Sequence, residues 1–280
     1  QFQRKTTAPS HTESNVFCKM QHWQALSQAK FKRIALLTDK KGRAEESAFL
    51  AEGIKLVEEA ILSGLTVSMI LVSPLFLEKE GIQQETTFRK RFRNRYQEPY
   101  AGEIYYIQQD SLRKLTDHQQ PEGLIAVIEM PIRKMPSELP LPALFLWKLQ
   151  DPGNLGTLIR TAEWFGFRSV IASAGTAECW NPKVVRASMG SVFRLPVFYP
   201  DDWINILMRN LNQTVAAAMD GKALKRGTFK TKPCLLLGNE ANGLPEKILQ
   251  LSSLQKVTIP GGKATESLNV STAGAILMYQ

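Results

Sequence analysis

The feature that most constrains the fold is an alternation of strand-like and helix-like segments in residues 143–280. Short apolar runs typical of buried strands each lead into a longer stretch whose apolar residues recur at helical spacing. Repeated strand–helix units predict a mostly parallel sheet covered by helices on both faces, with ligands beyond the carboxyl ends of the strands. The predicted strands are Leu144–Leu149, Ser169–Ala172, Thr214–Ala218, Cys234–Leu237 and Lys256–Ile259, and the predicted helices are Leu155–Phe165, Trp203–Leu211, Glu246–Leu251 and Leu268–Tyr279.

The N-terminal half predicts a smaller α/β unit. Apolar residues recur at helical spacing from Ala48 to Ser63, which predicts one amphipathic helix, and Gly64 is suited to end it. Alternation of strands and helices in a short segment is typical of a small α/β sandwich. Its predicted strands are Val67–Val72, Ile104–Ile107 and Leu124–Ile128, with a short helix at Ser111–Leu115.

A proline-rich stretch separates the two halves. Residues 136–142 contain three prolines in seven positions, and proline neither continues a helix nor donates to a central strand. We therefore expect a linker there, between a first domain at residues 30–135 and a second domain at residues 143–280. We expect residues 1–29, which are rich in Ser and Thr near the start, to form a flexible tail.

No segment has the character of a membrane span or a secretory signal. The longest uncharged stretch, residues 60–77, is interrupted by Ser, Thr, Gly and Pro, and the first nineteen residues lack an apolar core. We therefore expect a cytoplasmic protein without a membrane partner.

Charge favours a nucleic-acid partner, and the cysteines and histidines exclude several kinds of site. The formal net charge is +9, and residues 131–280 carry 17 basic against 10 acidic residues. A surplus of that size favours a polyanion. The three cysteines form no CxxC pair and no histidine follows His118. These counts argue against a disulfide framework or a cysteine zinc site, and they exclude a Ser-His-Asp triad in the C-terminal half, so no metal is expected.

Three loops with polar residues follow predicted strands. They read DPGNLGTLIR at residues 151–160, LLLGNEANGLP at residues 235–245 and IPGGKATESLNVSTAGAI at residues 259–276. Taken singly, each is explained by helix capping and tight turns. The sequence contains neither GxGxxG nor GKS or GKT, which removes the commonest nucleotide-binding motifs from consideration and argues against the ordinary Rossmann-type methyltransferase.

In this order the three loops resemble the signature motifs of a known family. DPGNLGTLIRTAEWFGF, LLLGNEANGLPEKIL and IPGGKATESLNVSTAGAILMY resemble the motifs of the SpoU (TrmH) family, whose members are S-adenosylmethionine-dependent RNA ribose 2′-O-methyltransferases of the SPOUT class. NPKVVRASMGSVFRLPV is similar to the family's segment between the first two motifs. FLAEGIKLVEEAILSG and PEGLIAVIEMP are similar to its N-terminal substrate-binding domain, which has a ribosomal-protein-like RNA-binding fold.

The resemblance also implies a chain topology, a cofactor, an oligomeric state and a substrate, none of which the alternation of strands and helices predicts. It implies an α/β domain whose C-terminal segment is threaded into a deep trefoil knot, an exception to the usual unknotted topology. It also implies S-adenosylmethionine as the cofactor, a homodimer with the active site near the subunit interface, and RNA as the substrate. The added N-terminal domain favours ribosomal RNA.

The resemblance also assigns residues. The implied catalytic set is Asn154, Arg160, Glu240, Ser267 and Asn269, and the implied cofactor-binding set is Gly238, Asn239, Ile259, Pro260, Gly262, Ser267 and Leu268. Because a guanidinium stays protonated, we expect Arg160 to clamp an RNA phosphate and stabilise the developing oxyanion rather than act as a general base. Capping alone would explain Asn154 equally well. Many members have a methionine after Pro260, where this chain has glycine.

Basic residues outside the motifs are candidates for RNA contacts. The run from 89 to 95 combines five cations with one aromatic side chain, which suits phosphate pairing and base stacking, although a solvated face explains such a run equally well. The predicted RNA contacts are Arg89, Lys90, Arg91, Arg93, Arg95 and Arg186.

Three alternatives to ribosomal RNA ribose methylation stay open. They are a transfer RNA ribose methyltransferase, base methylation by another SPOUT branch, and a non-catalytic RNA-binding or ribosome-assembly protein that keeps the fold. The Ser-Leu-Asn-Val run at 267–270 favours ribose over base methylation, and the intact catalytic set weighs against loss of catalysis.

Overall fold

Two compact units, divided between Met130 and Pro131, make up the molecule. The computed structural model describes residues 23–94, 97–225, 227–229, 232–262 and 267–280. The stretch expected as a linker, residues 136–142, lies within the second unit and contains no helix or strand. None of the helices in the described ranges is long and apolar enough to cross a membrane.

The first unit is a four-stranded mixed sheet with helices. In the sheet order β1-β4-β2-β3, strand β4 is antiparallel to both of its neighbours and β2 is parallel to β3. Its strands are β1 (Ala48–Glu52), β2 (Val67–Val72), β3 (Glu103–Tyr106) and β4 (Leu124–Glu129). Its helices are α1 (Gln28–Leu36), α2 (Lys40–Glu46), α3 (Ile54–Leu62), α4 (Pro74–Lys79), α5 (Glu85–Arg91) and α6 (Gln109–Leu112), followed by a 3-10 turn at Arg113–Leu115.

One helix predicted for this unit is partly wrong. The stretch from Ala48 to Ser63 is not a single helix, because its first five residues form β1 and pair antiparallel with β4. Gly53 then adopts φ +95°, a left-handed conformation that interrupts the chain before α3 begins. The run Ala48–Ala51 is buried on every residue, and such a short apolar run does not distinguish a strand from a helix. Gly64, at φ +74°, follows α3 as expected.

Part of the segment expected as a tail is held by the sheet. The Leu26 N–H donates to the Tyr106 carbonyl at 3.1 Å, and Ala25 forms a parallel bridge with Tyr106. The Trp23 ring is buried and meets Phe88 edge-on, with 5.8 Å between ring centroids. Residues 1–22 of the expected tail lie outside the described residues.

The second unit is the parallel α/β domain that the alternation predicts. Its six strands are all parallel, in the order β10-β8-β9-β5-β6-β7. The strands are β5 (Ala143–Leu146), β6 (Ser169–Ala172), β7 (Val197–Phe198), β8 (Thr214–Ala223), β9 (Cys234–Leu237) and β10 (Gln255–Thr258). The helices are α7 (Pro152–Trp164), α8 (Pro182–Ser188), α9 (Ser191–Arg194), α10 (Trp203–Arg209), α11 (Glu246–Leu249) and α12 (Val270–Tyr279), with a 3-10 turn at Leu211–Gln213.

Three elements of this unit, α8, α9 and β7, were not predicted, because their segment shows no clear helical or strand period. The trefoil knot implied by the resemblance stays a prediction.

Glycine permits close packing of the last helix against the sheet. A Cβ atom at Gly274 would lie 2.4 Å from Leu158 Cδ2 and 3.0 Å from Leu237 Cδ1, so only a hydrogen atom fits there. Leu158 belongs to α7 and Leu237 ends β9, so this contact fixes α12 against both elements. The N-terminus of α12 is thereby held near the ends of the strands that carry the polar loops.

Candidate active site

The three polar loops emerge from one edge of the parallel sheet. They follow strands β5, β9 and β10, whose carboxyl ends share that edge because all six strands are parallel. Strands β5 and β9 are direct neighbours, and β8 lies between β9 and β10. The fold therefore brings together segments that are far apart in the sequence, at the position where parallel sheets bind ligands.

The first loop begins α7 with a side-chain cap, and Asp151 supplies it. Asp151 Oδ1 accepts a 2.7 Å hydrogen bond from the Asn154 N–H, and Pro152 occupies the first helical turn. Asn154 therefore does not cap the helix, and the structural explanation considered for it from the sequence is wrong. Its side-chain amide is left available for other contacts.

Asn154 instead joins the other two loops through its side chain. Its Nδ2 donates to Glu240 Oε1 at 3.3 Å, and its Oδ1 accepts from Asn269 Nδ2 at 3.0 Å. Glu240 is 86 positions away in the sequence and Asn269 is 115 positions away. Three of the five predicted catalytic residues thus form one hydrogen-bonded chain, with one member from each loop.

Both ends of this chain are fixed to backbone. The Glu240 carboxylate accepts from the Gln150 N–H at 3.2 Å and from the Asp151 N–H at 3.1 Å, which ties the second loop to the first. Asn269 is the N-cap of α12, with its Oδ1 2.8 Å from the Ser271 N–H. Each of these side chains has its orientation set by at least two partners, so the arrangement is ordered before any ligand binds.

Asn239, predicted to bind the cofactor, shapes the second loop. Its Nδ2 donates to the Lys148 carbonyl at 2.7 Å, and its Oδ1 accepts from the N–H groups of Ala241 and Asn242. Its backbone N–H and carbonyl both bond to Gly243. The side chain is therefore committed to the fold of the loop and to its connection with the end of β5.

Gly238 is required by the same turn. A Cβ atom there would lie 2.4 Å from the Gly243 carbonyl carbon and 2.6 Å from the Leu244 nitrogen. The absence of a side chain at this position is thus explained by the loop folding back on itself, whether or not a ligand also approaches its backbone.

Arg160 stands apart from the hydrogen-bonded chain. It lies two turns into α7 with an exposed side chain, and no described residue pairs with it. The helical spacing places Thr157 and Trp164 on the same face as Arg160, and Trp164 is 84% exposed. Among the described residues, no hydrogen bond or ion pair joins Arg160 to the other predicted catalytic residues.

The third loop presents an accessible segment beside α12. Ile259 is half-buried, and the residues after it are exposed up to the four that are not described, 263–266. Leu268 is an apolar residue that is 47% exposed. The predicted residues that are exposed here are Pro260, Gly262, Ser267 and Leu268.

A separate cleft of about 400 Å³ opens in the second unit, and the residues described as its lining include none of those predicted for the site. Arg133 and Trp180 line it, with the guanidinium 5.3 Å from the centre of a Trp180 ring. Burial raises the pKa of the Cys179 thiol in its wall to about 12, so the thiol stays protonated near neutral pH and is a poor nucleophile.

No group of His, Cys, Asp and Glu in the described ranges could hold a metal ion.

The predicted RNA-contact run is largely occupied by internal contacts. Arg89 donates to Glu85 and to the carbonyls of Tyr100 and Gly102, the last at 2.8 Å. Phe92 is fully buried, so it is not available for base stacking. Sequence patterns did not reveal the contacts with Tyr100 and Gly102, because these carbonyls lie on a later loop, whereas Glu85 is four residues before Arg89 on the same helix.

The remaining cations of the run differ in exposure and partners. Arg91 pairs with Glu80 at 3.2 Å, and Arg93 donates to the carbonyls of two nearby residues. Lys90 is exposed, Arg186 is half-buried on α8, and Arg95 lies outside the described residues.

Comparison with known proteins gives a consistent result. The SpoU rRNA Methylase family model matches residues 142–279, and a model of the MRM3-like substrate binding domain matches residues 28–126. A 23S rRNA (guanosine(2553)-2′-O)-methyltransferase of Bacillus subtilis, RlmP, is 32% identical over 93% of this chain and 98% of its own length.

Solved structures cover both units. A protein from Porphyromonas gingivalis described as a putative RNA methyltransferase of the TrmH family superposes with a TM-score of 0.71 at 30% identity, covering 91% of this chain and 97% of that one. An AdoMet-bound rRNA methyltransferase from Sinorhizobium meliloti superposes with a TM-score of 0.72 at 28% identity, covering 91% and 95%.

Proposed function

Because the chain belongs to the SpoU rRNA methylase family, we propose that it methylates a ribose 2′-hydroxyl of ribosomal RNA with S-adenosylmethionine as the methyl donor. The observation that carries the proposal is the hydrogen-bonded chain Asn269–Asn154–Glu240, to which each of the three loops contributes one residue. Such convergence at the carboxyl edge of a parallel sheet is what a site for a small ligand requires.

The residues at the sheet edge fit the cofactor. Bound S-adenosylmethionine supplies an electrophilic methyl group. The exposed apolar side chain of Leu268 suits an adenine ring, and the backbone of the accessible segment at Ile259, Pro260 and Gly262 offers polar groups without bulky side chains. Gly238 and Asn239 would complete the site by holding the turn after β9, and Ser267 offers a hydroxyl next to Leu268.

The catalytic roles follow from the chemistry of the side chains. The amides of Asn154 and Asn269 would orient the attacking ribose, because their partners already hold them in fixed positions. Glu240 would keep the first two loops in register through its bonds to backbone N–H groups. Arg160 would clamp an RNA phosphate and stabilise the developing oxyanion, while the hydroxyl proton passes to a phosphate oxygen or to solvent.

We further propose that the enzyme is a homodimer. The exposed face of α7 carries Arg160 together with Trp164, a large apolar surface to leave in water. Pairing of two chains through this face would cover Trp164 and bring Arg160 into a site that it does not complete within its own chain. The ribosomal substrate and the bacterial relative favour a cytoplasmic location.

The first unit would bind the RNA, as its match to the MRM3-like substrate binding domain supports. From the sequence alone, the residues predicted for this role are Arg89, Lys90, Arg91, Arg93 and Arg95, with Arg186 on the second unit. The internal contacts of Arg89 and Arg93 make exposed Lys90 the better candidate.

The test is to incubate the protein with methyl-labelled S-adenosylmethionine and total RNA from cells that lack it. We expect label in large-subunit ribosomal RNA, at a linkage that resists alkaline hydrolysis because its 2′ oxygen is blocked. Three other outcomes would each contradict the proposal. Label confined to transfer RNA would indicate a transfer RNA ribose methyltransferase, and label released with a free base would indicate base methylation. Absence of methyl transfer with intact RNA binding would indicate a non-catalytic RNA-binding protein.

A further inference from the structure

Lys148 has an unusual backbone conformation at the end of β5. Its φ is +46°, in the left-handed region that favours glycine and asparagine. Among the described residues, three other non-glycine positions share this property. Ser47 and Met189 do so as C-caps, where helices ordinarily end, and Gln97 lies in a surface turn. Lys148 alone of these four follows a strand of the sheet.

Neighbouring loops hold Lys148 in this conformation. Its N–H donates to Ser173 Oγ at 2.9 Å, and its carbonyl accepts from Asn239 Nδ2 at 2.7 Å. Ser173 follows β6 and Asn239 follows β9, so Lys148 is anchored between the two strands that flank β5. The backbone geometry serves the joining of these loops, and glycine would meet it without strain.

The side chain of Lys148 lies along a neighbouring loop and is accessible to solvent. Its Cγ lies 3.4 Å from the position that a Cβ of Gly175 would occupy, so the aliphatic stem runs along that loop. The ammonium lies 5.3 Å from the centre of a Trp147 ring, and Lys148 is exposed. No carboxylate within the described ranges pairs with it. The positive charge is thus left accessible on a side chain whose backbone is fixed by two hydrogen bonds.

The position borders the candidate active site. Lys148 is two residues before Gln150, whose N–H binds Glu240, and its carbonyl is tied to the residue before Glu240. In the proposed site the attacking ribose would bind at this edge of the sheet, and the phosphates that flank it would pass along the same edge, where Lys148 offers a cation. A lysine ammonium binds phosphate as a compact point charge.

We propose that Lys148 binds a phosphate of the RNA backbone next to the nucleotide being methylated. This inference rests on the proposed function, because it takes RNA as the substrate. It gives a reason for a lysine where the backbone favours glycine. Lys148 is here a substrate-binding residue, and no proton or methyl transfer depends on it.

The test compares Lys148→Asn with Lys148→Arg in the whole protein. Asparagine tolerates the left-handed conformation and removes the charge, whereas arginine keeps the charge. Arg168→Gln is the matched control, because Arg168 is an exposed cation of the same unit that precedes β6 at the opposite edge of the sheet. The probe is an unmodified transcript of large-subunit ribosomal RNA, titrated at several salt concentrations.

We expect Lys148→Asn to lower the slope of log affinity against log salt by about one unit, the effect of losing one phosphate contact. It should raise the KM for RNA, leave kcat and S-adenosylmethionine affinity unchanged, and unfold at no lower temperature than the wild type. Lys148→Arg and Arg168→Gln should keep the wild-type slope.

Three results would overturn the inference. An unchanged slope in Lys148→Asn means that Lys148 binds no phosphate. An equal fall of the slope in Arg168→Gln means that the salt dependence reports the overall positive charge of the protein and not a contact at Lys148. A loss of S-adenosylmethionine affinity in Lys148→Asn, with RNA binding intact, would assign the cation to the cofactor's carboxylate instead. Failure of the proposed function is seen in the wild type itself, as absent ribose methylation.

Discussion

We predicted functional roles both for the loops at the strand ends and for the basic run at residues 89–93, but the side chains of the two regions make different kinds of contact. In the loops, residues separated by 86 and 115 positions meet through hydrogen bonds and leave an accessible surface. In the run, Arg89 donates hydrogen bonds to two carbonyls of its own unit, and Phe92 is fully buried. Polar residues that converge from distant positions therefore indicate a site better than a contiguous run of charge, whose members find local partners.

The largest expected effect tests whether Arg160 belongs with the loops despite standing apart from them. Arg160→Lys keeps the charge but loses the planar fork of donors, so we expect kcat to fall by at least about 100-fold. S-adenosylmethionine affinity, measured by calorimetry, should stay near the wild-type value. Arg168→Lys, at the opposite edge of the sheet, is the control. Wild-type turnover in Arg160→Lys would remove Arg160 from the catalytic set.

Glu240→Ala should have the next largest effect, because it removes the acceptor that joins the first two loops. The N–H groups of Gln150 and Asp151 and the amide of Asn154 would lose their shared partner. We expect kcat to fall by up to about 100-fold through misplacement of Asn154, with little change in thermal stability because the carboxylate is exposed. Glu246→Ala, which removes an exposed carboxylate bonded to Gln250, should leave kcat unaltered.

Arg89→Ala should act on stability rather than on RNA binding. Its guanidinium bonds to Glu85 and to two backbone carbonyls while only 28% of the side chain is exposed. Losing these contacts should lower the free energy of unfolding by about 1–3 kcal/mol in a urea titration. Lys90→Ala, one residue on and exposed, should leave that free energy within about 0.5 kcal/mol of the wild type. A stable Arg89→Ala protein with weakened RNA binding would show that the run is an RNA surface after all.

The smallest effect is expected from neutralising Arg91 and Arg93 together. Arg91 already pairs with Glu80, and Arg93 already donates to backbone carbonyls. We therefore expect the salt dependence of RNA affinity to keep its wild-type slope in the Gln double variant. A fall of about one unit for each residue would restore the phosphate-binding interpretation of the run.

The sequence predicted the parallel sheet and the polar loops that follow its strands, because apolar runs and glycine-containing loops leave clear local signals. It could not distinguish Asp151 from Asn154 as the helix cap, since both side chains suit that role and only the observed bond decides. It misassigned the first residues of the stretch that begins at Ala48, because a short buried strand and a helix share the same apolar composition. The left-handed backbone of Lys148 had no signal at all, because it depends on bonds to two other strands' loops.

The lack of space for a side chain at Gly274 limits the substitutions that this position can accept. A larger residue at this position would press on the buried side-chain ends of Leu158 and Leu237. We expect it to displace the last helix, and with it the Asn269 amide that bonds to Asn154, unless the two leucines shift. Substitution there would impair a group more than a helical turn away without touching either reactant. A limit on sequence drift in this half of the molecule thus falls on a position within α12 that lies between two leucine side chains and outside the hydrogen-bonded chain that joins the three loops.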